Sequence, residues 1–161
     1  MRRAQEKEGS WFGRWGVNYV YGTSNVLCSL MRHRIDADDE MIQKALAWLK
    51  KMQNKDGGWG ECLESYGDKS LMGKGPSTAS QTAWALMGLL AYLPATDRSI
   101  QRGIQWLIDR QQVEKNSIGT WDEEEFTGTG FPNHFYIRYH LYRHYFPLMA
   151  LGRFCSAHFS S

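Results

Sequence analysis

Twelve residues recur almost in register at a spacing of 58: IQKALAWLKKMQ starts at Ile42 and IQRGIQWLIDRQ starts at Ile100. Each copy leads into a Gly-x-Trp-x-Glu loop, first Gly57-Gly58-Trp59-Gly60-Glu61, then Gly119-Thr120-Trp121-Asp122-Glu123 after a connection four residues longer. A repeated helix followed by a repeated loop means stacked copies of one unit, and such a unit buries its apolar face only against its neighbours. Two helices per period imply paired inner and outer helices, as in a barrel or solenoid. So few copies leave an open edge, so the chain is expected to be a piece of something larger.

The apolar periodicity predicts helices over 24–33, 38–52, 77–92, 97–111 and 135–158 and no convincing strand, so the fold class is all-α. Asp38 or Asp39 suits an N-cap, Pro76 and Pro94 bracket the third helix, and Pro147 is expected to kink or break the last. A net charge of +2 with no basic block argues against nucleic acid. Cys28, Cys62 and Cys155 are odd in number and far apart, which fits neither a disulfide framework nor a zinc site. No signal peptide and no run of about 18 apolar residues is present. Neither a metal nor a cofactor is implied. The unusual quantity is aromatic: 7 Trp, 8 Tyr and 7 Phe in 161 residues must fill a core, line a pocket or meet a membrane.

A further pattern joins the loops: Gln, a short spacer, Gly, any residue, Trp. It runs Gln5-x3-Gly9-Ser10-Trp11, Gln53-x3-Gly57-Gly58-Trp59 and, loosely, Gln112-x6-Gly119-Thr120-Trp121. A Gln amide can bond the free backbone groups of a helix end, an indole can cover the next turn, and Gly permits the sharp bend. One copy would mean ordinary aromatic packing. Three copies in register with a helical repeat mean staples between outer helices.

These loops resemble the QW motifs of the squalene–hopene and oxidosqualene cyclase family. GSWFGRWGVNYVYGT (9–23), NKDGGWGE (54–61), GKGPSTASQTAWALM (73–87), TGTGFP (127–132) and FYIRYHLYRHYFP (135–147) are similar to family segments in the same order, and the bacterial branch is nearest. The resemblance implies an α/α (toroid) barrel of paired inner and outer helices, here incomplete, with residues 1–161 forming the C-terminal part of one barrel domain and no second domain. It implies an intramolecular transferase or isomerase that cyclises squalene to hopene or hopanol without a cofactor. It also implies a monotopic or peripheral seat on the cytoplasmic side of a bacterial cell membrane, with substrate drawn from one leaflet; a homodimer is left open.

By the same resemblance Trp15 matches a cavity-lining Trp. Phe131 and Phe135 match rings that stabilise mid- and late-stage cations. Tyr139 and Tyr142 support the cavity, and Tyr21 neighbours the water network serving the acid. Aromatic faces suit a carbocation because they offer negative charge density without a good nucleophile. Tyr19 and Tyr136 are read as core. Asp36-Ala37-Asp38-Asp39 spells the family's DxDD acid motif, but it stands before a helix, where acidic residues cap and complement the dipole. The true acid is therefore expected N-terminal to Met1, and the isolated chain is expected to be inactive. Asp122-Glu123-Glu124-Glu125 is read as a solvated loop face, and His134, His140 and His144 do not make a metal set.

Other classes stay open at this stage. A prenyltransferase β subunit shares Gly-rich repeats but needs an Asp, Cys and His zinc site. A glycosidase would use paired carboxylates such as Glu61 and Asp122 beside stacking tryptophans. A catalytically inactive helical-repeat module would need neither.

Overall fold

The computed structural model describes residues 1–113 and 119–159. Five helices carry the fold: α1 (Tyr19–Arg32), α2 (Glu40–Lys51), α3 (Ala79–Leu89), α4 (Arg98–Arg110) and α5 (Tyr142–Phe159). Short 3-10 turns cover Arg2–Ala4, Leu63–Tyr66 and Lys69–Leu71. Two small antiparallel pairs join β1 (Gln112–Val113) to β2 (Gly119–Thr120), and β3 (Gly128–Phe131) to β4 (Phe135–Ile137).

The helices form two layers. α1, α3 and α5 pack side by side with α3 in the middle, while α2 and α4 lie on the outside against that row. Sequence explains the division. α2 and α4 are amphipathic: one face carries Met41, Ile42, Ala45, Leu46, Trp48 and Leu49, or Ile100, Ile104, Trp106 and Leu107, and is buried. Every residue of α3 is buried, so it has no polar face to offer water. The core between the layers centres on Trp59, Trp84, Trp121, Leu27, Leu49, Leu86 and Leu107.

Local capping sets the outer helices. Asp39 accepts the Met41 N–H at 2.9 Å and Asp97 accepts the Ser99 N–H at 2.9 Å, so each outer helix starts on an aspartate. The stretch spelling DxDD is thus a helix start: Asp39 caps α2 and pairs with Arg2, while Asp36 and Asp38 face solvent. The expected start of α1 at Ser24 is five residues late. Asn18 makes no side-chain cap; the cap comes instead from Glu61, 43 residues away, whose Oε2 accepts the Val20 N–H at 2.8 Å.

The other departure is at 135–141, expected to be helical. Phe135–Ile137 pairs with β3, and α5 begins only at Tyr142 and runs on through Pro147. The Phe135 ring lies directly against Gly130, where a Cβ would come within 2.0 Å of it, so the observed pairing depends on glycine at that position.

The glutamine–tryptophan loops bind the layers together. Gln53 Nε2 donates to the Gly57 carbonyl at 2.7 Å and to the Ser99 carbonyl in the first turn of α4 at 2.9 Å. Gln5 repeats this with Gly9 and with Met41 in the first turn of α2, both at 2.9 Å. Gly9 and Gly57 hold φ of +106° and +103°, and a Cβ there would meet the Lys44 or Arg102 carbonyl of the outer helix they rest on. The indole N–H groups of Trp59 and Trp121 donate back to Leu49 and Leu107 near the ends of α2 and α4, at 2.7 and 2.8 Å.

Gln112 does not take this place. It lies exposed on β1 and bonds Asp122, whereas the residue 58 beyond Gln53 is Gln111, whose amide rests against Gly119. The spacer of this third loop includes residues 114–118, outside the described residues.

Gln53→Ala removes the bond to Ser99 in the first turn of α4 and the bond to Gly57 that closes its own loop. Urea denaturation of the chain should show a loss of about 1–3 kcal/mol, whereas Gln112→Ala should change stability by under about 0.5 kcal/mol.

Candidate active site

Three of the family-type rings meet at the β3–β4 hairpin. Trp15 stands on the strand-like segment before α1, which pairs with β3: Val17 N–H donates to the Thr127 carbonyl and Thr129 N–H to the Trp15 carbonyl, each at 3.0 Å, around a Gly16–Gly128 bridge. Thr129 Oγ1 donates to the Phe135 carbonyl at 2.7 Å and fixes β4 on the other side. Three extended segments thus present Trp15, Phe131 and Phe135 together. Ring centroids of Trp15 and Phe131 lie 6.4 Å apart and those of Phe131 and Phe135 5.9 Å apart, both edge to face. All three are half exposed, at 50%, 56% and 50%. A shallow recess of about 480 Å³ opens beside them, lined by Phe12, Arg14, Phe131, Pro132 and His134. The Arg14 guanidinium already sits 5.3 Å from the Trp15 ring centroid, so that face accepts a cation.

A second cluster continues from the same strands. Gly128 lies under the Tyr139 ring and Gly16 under that of Tyr21. Tyr139 stacks on Tyr142 at 4.6 Å; Tyr142 meets Trp84 at 5.8 Å, and Trp84 meets Tyr21 at 5.0 Å. Phe146 and Tyr145 of α5 close the cluster against Tyr142. Burial pushes the Tyr142 hydroxyl up to about 12, so it stays a neutral phenol across the physiological range. Tyr19 is core, as its spacing implies; Tyr136 is half-buried and stacks on Tyr66.

Sequence reasoning missed three side chains here. Trp84 joins Tyr21 to Tyr142 and reads in the sequence only as one apolar residue among many in α3. Tyr66 donates to the Gly16 carbonyl at 3.0 Å, with the Gly13 and Arg14 carbonyls at 3.2 Å, and so holds the turn carrying Trp15. Glu123 is 7% exposed, which corrects its reading as part of a solvated acidic face; its neighbours Asp122, Glu124 and Glu125 are exposed. The signal for Glu123 was present in the shared Gly-x-Trp-x-Glu loop, since its counterpart Glu61 is equally buried.

Among the described residues no group of three His, Cys, Asp or Glu side chains could hold a metal ion. His144 Nδ1 is 3.0 Å from Thr120 Oγ1. Glu61 lies deep and Asp122 on the surface, so the two are not a catalytic carboxylate pair.

The profile of the squalene–hopene cyclase C-terminal domain matches residues 1–156. The chain belongs to the squalene–hopene cyclase family. It is similar to the squalene–hopene cyclase of Zymomonas mobilis, 52% identical over 155 residues, covering 96% of this chain and 23% of that protein. The squalene–hopene cyclase of Alicyclobacillus acidocaldarius is 52% identical over 157 residues, covering 98% and 24%. Dammaradiene synthase of the fern Dryopteris crassirhizoma is 47% identical, covering 96% and 24%. The chain therefore spans about a quarter of the length of these relatives. Among solved structures, the type II terpene cyclase MstE from Scytonema superposes with a TM-score of 0.57 at 22% identity, covering 82% of this chain and 35% of that one, which shows a shared helical fold. The layered helices here fit an α/α-barrel-type fragment.

Burial pushes the Glu61 carboxyl above its ordinary range, and backbone N–H groups at the start of α1 only partly offset this. A raised folded value makes the folded state hold the proton longer than the unfolded one. The contribution to stability is then full below the unfolded value near 4.5 and is lost as pH rises through the folded value. Glu61→Gln removes that loss. Thermal unfolding should show the variant gaining on the parent as pH rises above the ordinary value of 4.5, and a pH-independent difference would count against a buried charge at this position.

Proposed function

We propose that this segment supplies an aromatic wall of a triterpene cyclase active site, where ring faces guide carbocations while squalene closes to hopene or hopanol. The observation that carries the reading is the contiguous, half-exposed platform of Trp15, Phe131 and Phe135 on three paired extended segments. A cation in a dry chamber needs electron density that cannot capture it, and each desolvated ring contributes about 2 kcal/mol. Three rings acting on the transition state give about 6 kcal/mol, on the order of 10⁴ in rate. The remaining three-quarters of a chain as long as the relatives would form the opposite walls and exclude water.

The alkene-protonating acid is assigned to a carboxylate outside this segment, because Asp39 is engaged in capping α2 and Asp36 and Asp38 are solvated. The same reading seats the full-length enzyme on the cytoplasmic face of a membrane; the exposed Leu148 and Met149 of α5 favour an apolar neighbour. Among the described residues no helix is long and apolar enough to cross a membrane.

The test is a chimera in which this chain replaces the matching segment of the Zymomonas mobilis squalene–hopene cyclase. With squalene supplied, Phe131→Ala should raise the fraction of partially cyclised products by about tenfold, as a late cation loses about 1.4 kcal/mol or more of stabilisation. An unchanged product profile by gas chromatography–mass spectrometry would reject the cation-stabilising role.

A further inference from the structure

We infer that Glu123 is a positioning residue that sets the height of the Phe131–Phe135 platform by tying it to the N-terminus of α3. The inference rests on the ring-wall reading above. Glu123 Oε2 accepts the Ser80 N–H at 2.7 Å, and Oε1 accepts the Ser80 hydroxyl at 2.9 Å and the Thr127 hydroxyl at 3.2 Å. Ser80 is the second residue of α3, the helix buried on every side. Thr127 is the residue before β3, four before Phe131, and its carbonyl receives Val17 beside Trp15. One buried carboxylate therefore joins the fully buried helix of the fold to the strand carrying Phe131.

Chemistry favours a positioning role over a role in proton transfer. Among the described residues the bonds Glu123 accepts come from Ser80 and Thr127, and it is 7% exposed, whereas the rings it serves are open. Its counterpart Glu61 caps α1 in the same way, through the Val20 and Asn18 N–H groups, but reaches neither strand of the hairpin. The first loop has Ser65 at the position equivalent to Thr127, but Ser65 lies on a 3-10 turn, whereas Thr127 leads directly into the strand carrying Phe131. Displacing a reacting centre by about 1 Å costs on the order of 10²-fold, so a slack hairpin should change where cyclisation stops.

In the chimera described above, Glu123→Ala should raise the ratio of partially cyclised to fully cyclised product at least about threefold. Glu123→Gln should restore the parental ratio, because an amide oxygen can take the Ser80 N–H and its NH2 can donate to the two hydroxyls. Thr127→Val cuts only the link to the strand and leaves the α3 cap, so it should shift the ratio even if Glu123→Ala fails to fold. A shift with Phe131→Ala and none with Glu123→Ala or Thr127→Val overturns the positioning role alone. No shift with any of the three overturns the ring-wall reading, and this inference with it.

Discussion

α3 has no side facing water, and the rest of the molecule is arranged around that fact. A helix buried on all faces still presents unpaired N–H groups at its first turn, and water cannot reach them. Here side chains take water's place. Thr78 accepts the Gln81 N–H, Glu123 accepts the Ser80 N–H, and the Gln81 amide donates to the Val17 and Glu61 carbonyls at 3.1 and 3.0 Å. Thr82 takes the Trp59 N–H at 2.9 Å. Besides the adjoining Thr78, the partners Val17, Trp59, Glu61 and Glu123 come from three separate parts of the chain, so the first turn of α3 gathers the segment before α1 and both tryptophan loops.

The parts legible in the sequence are those whose causes are local. α2 and α4 carry their own N-cap aspartates and their own apolar stripes, and both emerge where the pattern puts them. The repeat correctly implied paired inner and outer helices. The start of α1 was not legible because Glu61, far along the chain, supplies its cap. The β3–β4 hairpin was hidden for a related reason: FYIRYHLYRHYFP has an aromatic spacing that suits a helix, and the Phe135 ring packs on Gly130 of the opposite strand, a contact between segments that periodicity does not show.

The candidate site divides in the same way. Trp15, Phe131 and Phe135 were named by family resemblance, and the structure brings them into ring contact. Tyr66, Trp84 and Glu123 act through contacts between segments distant in sequence. A charge run such as Asp122–Glu125 reads as solvent-facing because three of its four members are. The fourth is distinguished only by its place in a loop that the chain uses twice.

The tryptophan loops connect in both directions along the chain. Gln53 of the first loop reaches forward to α4 and Glu61 reaches back to α1, while Lys50 before it pairs with Asp97 at 2.6 Å. The units are therefore interlocked rather than merely stacked. Excising one would uncap α1 on one side and release the first turn of α4 and the Asp97 pairing on the other, so a lineage lengthens or shortens this array most cheaply by inserting or losing a helix pair together with its loop as one block.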